Sequence, residues 1–157
     1  MKSVKSMKSL EWQERRGGFE STRQGEQGMR IIYEKEGYAI RGAVFEVSKT
    51  LGTGFAEEVY QEALEMELAE RGIPFEAQKE LSLTYKGRPL RKTYRPDLLC
   101  YGKIVVELKS VRALAPEHVA QLINYLRATG FHLGLLVNFG SYPKADVQSY
   151  VFGVPRT

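Results

Sequence analysis

The chain has 157 residues, a formal charge of +4 and 43% hydrophobic residues, enough for one folded core but not for two ordinary domains. No run approaches the ~18 apolar residues of a membrane-crossing helix. The single Cys100 excludes an internal disulfide and a thiolate metal site.

Residues 1–28 are polar, contain Gly17, Gly18, Gly25 and Gly28, and lack a sustained apolar period. They predict a flexible tail ahead of a domain over residues 29–157, with Met29 a candidate for the true start. The Lys- and Ser-rich first residues lead into no apolar block of a secretory signal, which together with the lone cysteine favours the cytoplasm. From Ile32 to Leu51, Ala39, Ile40, Ala43, Val44, Val47 and Leu51 recur at helical spacing, and Gly52-Thr53-Gly54 stops that helix. A second helix over Phe55 to Arg71, capped by Thr53, ends at Gly72 with Pro74 following. Pro74 to Tyr85 and Arg91 to Tyr101 read as strands about a Lys86-Gly87-Arg88-Pro89 turn, and Lys103 to Lys109 as a short apolar central strand. Pro116 opens a third helix that runs to Thr129 and stops at Gly130. His132 to Asn138 is another buried strand, and Val147 to Val154 an edge strand. This α-α-β-β-β-α-β order predicts an α/β fold with a mixed sheet flanked by helices.

Charge is unevenly spread. Residues 1–28 hold six basic and four acidic side chains, leaving +2 for the remainder. Lys86, Arg88, Arg91, Lys92 and Arg95 fall within ten residues without an acid, which suits phosphate binding or, more blandly, a solvated loop. The second helix is acidic. Glu57 heads a mainly apolar stripe with Tyr60, Gln61, Leu64 and Leu68, whereas Glu58, Glu62 and Glu65 form a separate, solvated face. An inward carboxylate needs a partner, either a metal or the dipole and amides of its own helix end.

The most informative stretch is Pro96 to Lys109. Two apolar runs meet at Tyr101-Gly102-Lys103, and symmetric closure about Gly102 sets Asp97 opposite Glu107. Alternation puts Lys109 on the side of Glu107 and Leu108 in the core. Glu107 interrupts an apolar run, which argues against an ordinary surface ion pair. Two facing carboxylates resist ionising together unless a cation lies between them, and an all-oxygen pair suits a hard divalent ion. Cys100 reads as a small core residue, and Zn²⁺ lacks its usual ligand spacing. On the third helix His118, Gln121, Leu122 and Tyr125 share one face.

The Pro96-Asp97 pair, the ten-residue step and Glu107-Leu108-Lys109 resemble the PD-(D/E)XK nuclease superfamily. Gly54-Phe55-Ala56-Glu57-Glu58-Val59-Tyr60 is similar to the Gly-x-x-Glu-x-x-Tyr signature of its GxxExxY branch. Gln121-Leu122-Ile123-Asn124-Tyr125 resembles the Q-x-x-x-Y motif that follows the lysine in exonuclease-like branches, and Gly134 to Gly140 resembles the closing strand. The resemblance implies a restriction-endonuclease-like fold and a Mg²⁺- or Mn²⁺-dependent nuclease acting on nucleic acid, DNA in the first instance. It implies that Asp97, Glu107 and the Leu108 carbonyl ligate the metal, with Glu57 close by. It further implies that Lys109 positions or activates the attacking water and stabilises phosphate charge, and that Gln121 and Tyr125 orient Lys109 or grip a phosphate or base. His118 supports the metal shell or contacts DNA, or is merely structural, and Tyr60 either bonds into the site or packs. A non-hydrolytic nucleic-acid- or partner-binding module on the same scaffold is the alternative. With no sequence-reading module evident, a homodimer or a protein partner would help hold substrate.

Overall fold

Among the described residues three helices form where apolar spacing is helical, and glycines end two of them. The computed structural model describes residues 20–21 and 32–153. Helix α1 spans Glu34–Leu51, α2 Glu57–Glu70 and α3 Pro116–Thr129. The Gly52 amide reaches the Ser48 carbonyl at 2.9 Å, and Gly130, at φ 87°, turns its amide onto Leu126. Helix α2 starts later than Phe55 implied: Ala56 is its N-cap, and Thr53 does not cap it.

The strands are β1 (Glu20–Ser21), β2 (Phe75–Ala77), β3 (Leu81–Tyr85), β4 (Arg88–Tyr94), β5 (Leu98–Cys100), β6 (Ile104–Lys109), β7 (Leu133–Asn138) and β8 (Asp146–Val151). The main sheet has the order β1-β8-β7-β6-β5-β2, with β6 parallel to β7 and the other pairs antiparallel. Helix α3 makes the crossover between β6 and β7, as a parallel pair requires. The expected α/β class and mixed, helix-flanked sheet of a restriction-endonuclease-like fold are therefore present.

Two details differ from the sequence expectation. Each of the two long strands predicted around Lys86 is divided: β2 and β5 pair in the main sheet, whereas β3 and β4 form a separate two-stranded hairpin. Gln78, at φ 54°, redirects the chain between β2 and β3, and Pro96 lies in the break between β4 and β5. The hairpin turn is Lys86-Gly87, both at positive φ, so Arg88 and Pro89 belong to β4 rather than to the turn. Strand β8 is not an edge, because Glu20–Ser21 pairs with it. The rest of the polar 1–28 segment, Met29 and residues 154–157 lie outside the described residues.

Alternation along the central strands builds two cores. Leu98, Cys100, Ile104, Val106 and Leu108 pack with α1 and α2 through Ile40, Val44, Tyr60, Leu64 and Leu68. Leu99, Val105 and Leu136 pack on the other face with Leu122, Ile123 and Leu126 of α3 and with Leu81, Leu83 and Tyr94 of the hairpin. Gly134 admits α3 closely, since a Cβ there would lie 2.9 Å from the Leu122 side chain. Cys100 is fully buried in the first core, and burial pushes its thiol up to about 12.

Candidate active site

The β5–β6 hairpin closes with the register that symmetry about Gly102 requires. Leu98 pairs with Val106, Leu99 with Val105 and Cys100 with Ile104. Tyr101 and Gly102, at φ 56° and 67°, form the tight turn, and the Lys103 amide reaches the Cys100 carbonyl at 3.0 Å. Asp97 thus sits just before β5, beside the projecting end of β6. Its Oδ2 accepts the Leu108 amide at 2.7 Å. Its backbone carbonyl accepts the Gln61 side chain at 3.0 Å and the Gln78 amide at 3.2 Å. In a strand the N–H and C=O of one residue leave toward the same edge, so the Leu108 carbonyl also points to the Asp97 side. The Leu108 side chain is buried among the α1/α2 core residues.

Glu107 lies beneath α3. Tyr94 Oη donates a hydrogen bond to Glu107 Oε2, and the Tyr94 ring stacks on Tyr125 with centroids 3.7 Å apart. Burial pushes the Glu107 carboxyl up to about 8; the Tyr94 hydrogen bond opposes the rise, and the charge of Asp97 and a hydrogen bond with it add to it. Burial and the Glu107 charge in turn hold the Tyr94 hydroxyl well above the usual phenol range, so it remains a donor. Two carboxylates therefore share a position that cannot hold both charges cheaply without a cation.

Glu107 and Lys109 line a water-sized cavity of about 10 Å³ with His118, Gln121 and Tyr125. The one face of α3 read from its spacing is thus the face turned to this site. His118 has a capping role as well: its Nδ1 accepts the Ala115 amide at 3.1 Å, so a neutral ring carries its proton on Nε2. Burial, then the Lys109 charge, lowers the His118 pKa, favouring that neutral ring.

On the other side Asp97 and Leu108 border an open cleft of about 270 Å³, walled by Glu57, Glu58, Gln61, Glu62 and Glu65 of α2. Glu57 does not point under its helix as the stripe implied. It is exposed at the first turn of α2, on the cleft wall, where the helix dipole also favours it. Nor are Glu58, Glu62 and Glu65 a separate face, since they share that wall. Among the described residues no three Asp, Glu, His or Cys side chains converge tightly enough to hold a metal together. The donor types do fit a hard divalent cation: two carboxylates and a carbonyl at one strand end, one carboxyl made proton-hungry by burial and by its neighbour, with Glu57 across the cleft.

Tyr60 packs rather than entering the site. It is fully buried, stacks on Phe139 at 4.5 Å and donates from Oη to the Gly52 carbonyl at 2.5 Å, bracing the loop before Glu57. The basic side chains Lys86, Arg88, Arg91 and Lys92 are exposed on the β3–β4 hairpin, while Arg95 reaches Glu80 at 3.8 Å.

Two residues that sequence reasoning missed complete the frame. Tyr94 lies far from Glu107 along the chain, and no local pattern signals the contact. Asn138 is 2% exposed; its Oδ1 accepts the Val111 and Gly140 amides, both at 3.0 Å, and its Nδ2 donates to the Val111 carbonyl at 2.9 Å. This clamps the loop that follows Lys109. The signal was available, as a polar residue ending an apolar strand. Gly140 is needed there because a Cβ would lie 2.3 Å from the Val111 carbonyl oxygen.

No curated protein and no solved structure gives a significant match to the chain. A family profile described as the PD-(D/E)XK nuclease superfamily matches residues 34–150, which include α1, α2 and α3, β2 to β7 and every residue of the site just described. With that match over most of the chain, on the expected sheet and hairpin, the protein belongs to the PD-(D/E)XK nuclease superfamily.

Proposed function

We propose that this protein is a Mg²⁺- or Mn²⁺-dependent phosphodiesterase that hydrolyses nucleic acid, DNA in the first instance, and that it falls in the GxxExxY branch through Gly54, Glu57 and Tyr60. The observation that carries this reading is the meeting of Asp97, Glu107 and Lys109 at one strand end, where burial and then the Asp97 charge push the Glu107 carboxyl up to about 8. A protein that only bound nucleic acid would gain nothing from such a pair. Members of the superfamily typically use divalent metals and act on nucleic acids.

Asp97, Glu107 and the Leu108 carbonyl would hold the ion, with Glu57 reaching from the α2 wall. A bound divalent ion polarises a phosphate and lowers the pKa of coordinated water. Asp97 is held by the Leu108 amide and leaves Oδ1 toward the cleft edge, where Gln78 Nε2 approaches at 3.5 Å. Tyr94 keeps Glu107 in place and gives up Oε2 when that oxygen is needed elsewhere. Lys109, on the Glu107 side, orients the nucleophile and stabilises the charge that grows on the phosphate. Gln121 and Tyr125 line the same cavity as Lys109 and would fix its direction. The basic hairpin meets the phosphates beyond the site, and the acidic wall of α2 steers the backbone toward the α3 side.

A cleavage screen over single-stranded, duplex, branched and RNA substrates with Mg²⁺ and with Mn²⁺ tests the reading. Metal-dependent products that disappear in EDTA support it; tight binding without cleavage of any substrate refutes hydrolysis and leaves a binding module.

A further inference from the structure

The β3–β4 hairpin holds an apolar feature that the nuclease reading does not use. Leu81 and Leu83 are buried against α3 and neighbouring core residues, and Thr84 already stands beside the last turn, with Oγ1 3.4 Å from the Ala128 carbonyl. Helix α3 ends at Thr129. Tyr85 is the next residue and closes β3 at the Lys86-Gly87 turn. Tyr85 is 61% exposed. Arg88 of β4 is its cross-strand partner, and Lys86 Nζ lies 5.4 Å from the ring centroid. Leu90, 46% exposed, follows where the register shifts between Ser82 and Thr84.

The hairpin therefore presents an uncovered aromatic ring flanked by cations. Residues 81–94 contain no acid, and Lys86, Arg88, Arg91 and Lys92 form no ion pair among the described residues. At the other end of β4 Tyr94 touches Glu107, so the tip lies about 15–20 Å from the site along one strand. An exposed ring among cations matches the faces of unpaired bases and their phosphates, whereas a paired base hides its faces in the stack.

We infer that the β3–β4 hairpin is a grip for single-stranded DNA, with an unpaired base stacking on Tyr85 while Arg88 and Lys86 hold the adjacent phosphates. The inference deepens the nuclease reading and rests on its nucleic-acid substrate. It makes that substrate a strand with unpaired nucleotides near the scissile bond.

Fluorescence anisotropy with a labelled single-stranded DNA oligonucleotide, its duplex and the matching RNA, all in EDTA, tests this without requiring cleavage. Tyr85→Ala should weaken single-strand binding about tenfold or more, the scale of one lost base stack, and leave the slope of log affinity against log salt unchanged. Tyr85→Phe should restore affinity, and duplex binding should change less than about twofold. Arg88→Ala should instead reduce the salt slope by about 0.7. Undiminished single-strand affinity in Tyr85→Ala, an equal loss on duplex, tighter binding of the RNA strand, or no single-strand binding by the intact protein would each overturn the grip. Hydrolysis is read separately: Tyr85-dependent binding in a protein that cuts nothing supports the grip and sinks only the nuclease, and cleavage with Tyr85-independent binding does the reverse.

Discussion

Replacing Glu107 by Gln separates the charge of this carboxyl from its shape. The protonated carboxyl accepts from Tyr94 and bonds with Asp97, and an amide can do both, its oxygen taking the Tyr94 hydroxyl and its NH₂ facing Asp97. A folded pKa of about 8 against an ordinary 4.5 means that the native protein keeps a proton which the unfolded chain has released. Between those values the metal-free protein loses stability as pH rises, by about 1.4 kcal/mol per unit. Three units, from about pH 5 to about pH 8, remove about 4 kcal/mol at most. The stabilisation is fully present below the unfolded pKa and gone above the folded one. E107Q has no such slope, so it should be the more stable protein near pH 8 and close to the wild type near pH 5. Urea unfolding in EDTA, followed by circular dichroism across this range, measures the difference. Parallel pH profiles for the two proteins would refute the claim that burial and Asp97 hold a proton on Glu107. Excess Mn²⁺ at pH 8 should then stabilise the wild type more than E107Q, because the ion supplies the charge that the pair lacks.

Three further substitutions probe the rest of the site. Lys109→Met keeps much of the aliphatic stem and deletes the ammonium, so hydrolysis should fall by about 10²-fold or more with substrate affinity little changed; a rate that survives would remove Lys109 from the machinery. Asp97→Asn keeps an oxygen for the Leu108 amide but removes the charge, and calorimetry should show Mn²⁺ affinity reduced by at least about tenfold in a folded protein. Unchanged affinity would exclude Asp97 as a ligand. Gly140→Ala drives a methyl group into the Val111 carbonyl that Asn138 pins, and should lower stability by about 1–3 kcal/mol or more in thermal unfolding. A neutral effect would show that the loop after Lys109 is free to shift.

The amino-acid sequence by itself determined the parts of this protein that depend on near neighbours. Pro116 and Gly130 bracket α3 to the residue, because an imino acid at the start and a left-handed glycine at the end act within one turn. The pairing of β5 with β6 followed from the Tyr101-Gly102 turn and from alternation, which also set Leu108 in the core and Glu107 and Lys109 on the opposite side. Tertiary structure alone decided which partner each surface meets. The strands around Lys86 divide between two sheets, because β2 finds β5 while Leu81, Leu83 and Tyr94 bury against α3. Glu107 gains Tyr94, and Tyr60 goes to Phe139 rather than to the cleft beside Asp97. Glu57 comes to rest on an open cleft wall with the glutamates that its helical stripe had set apart. Tyr85 closes β3 and stays exposed, with Lys86 against its ring. Spacing along the chain states which side a residue faces; the length and placement of a distant element determine whether anything is there to meet it.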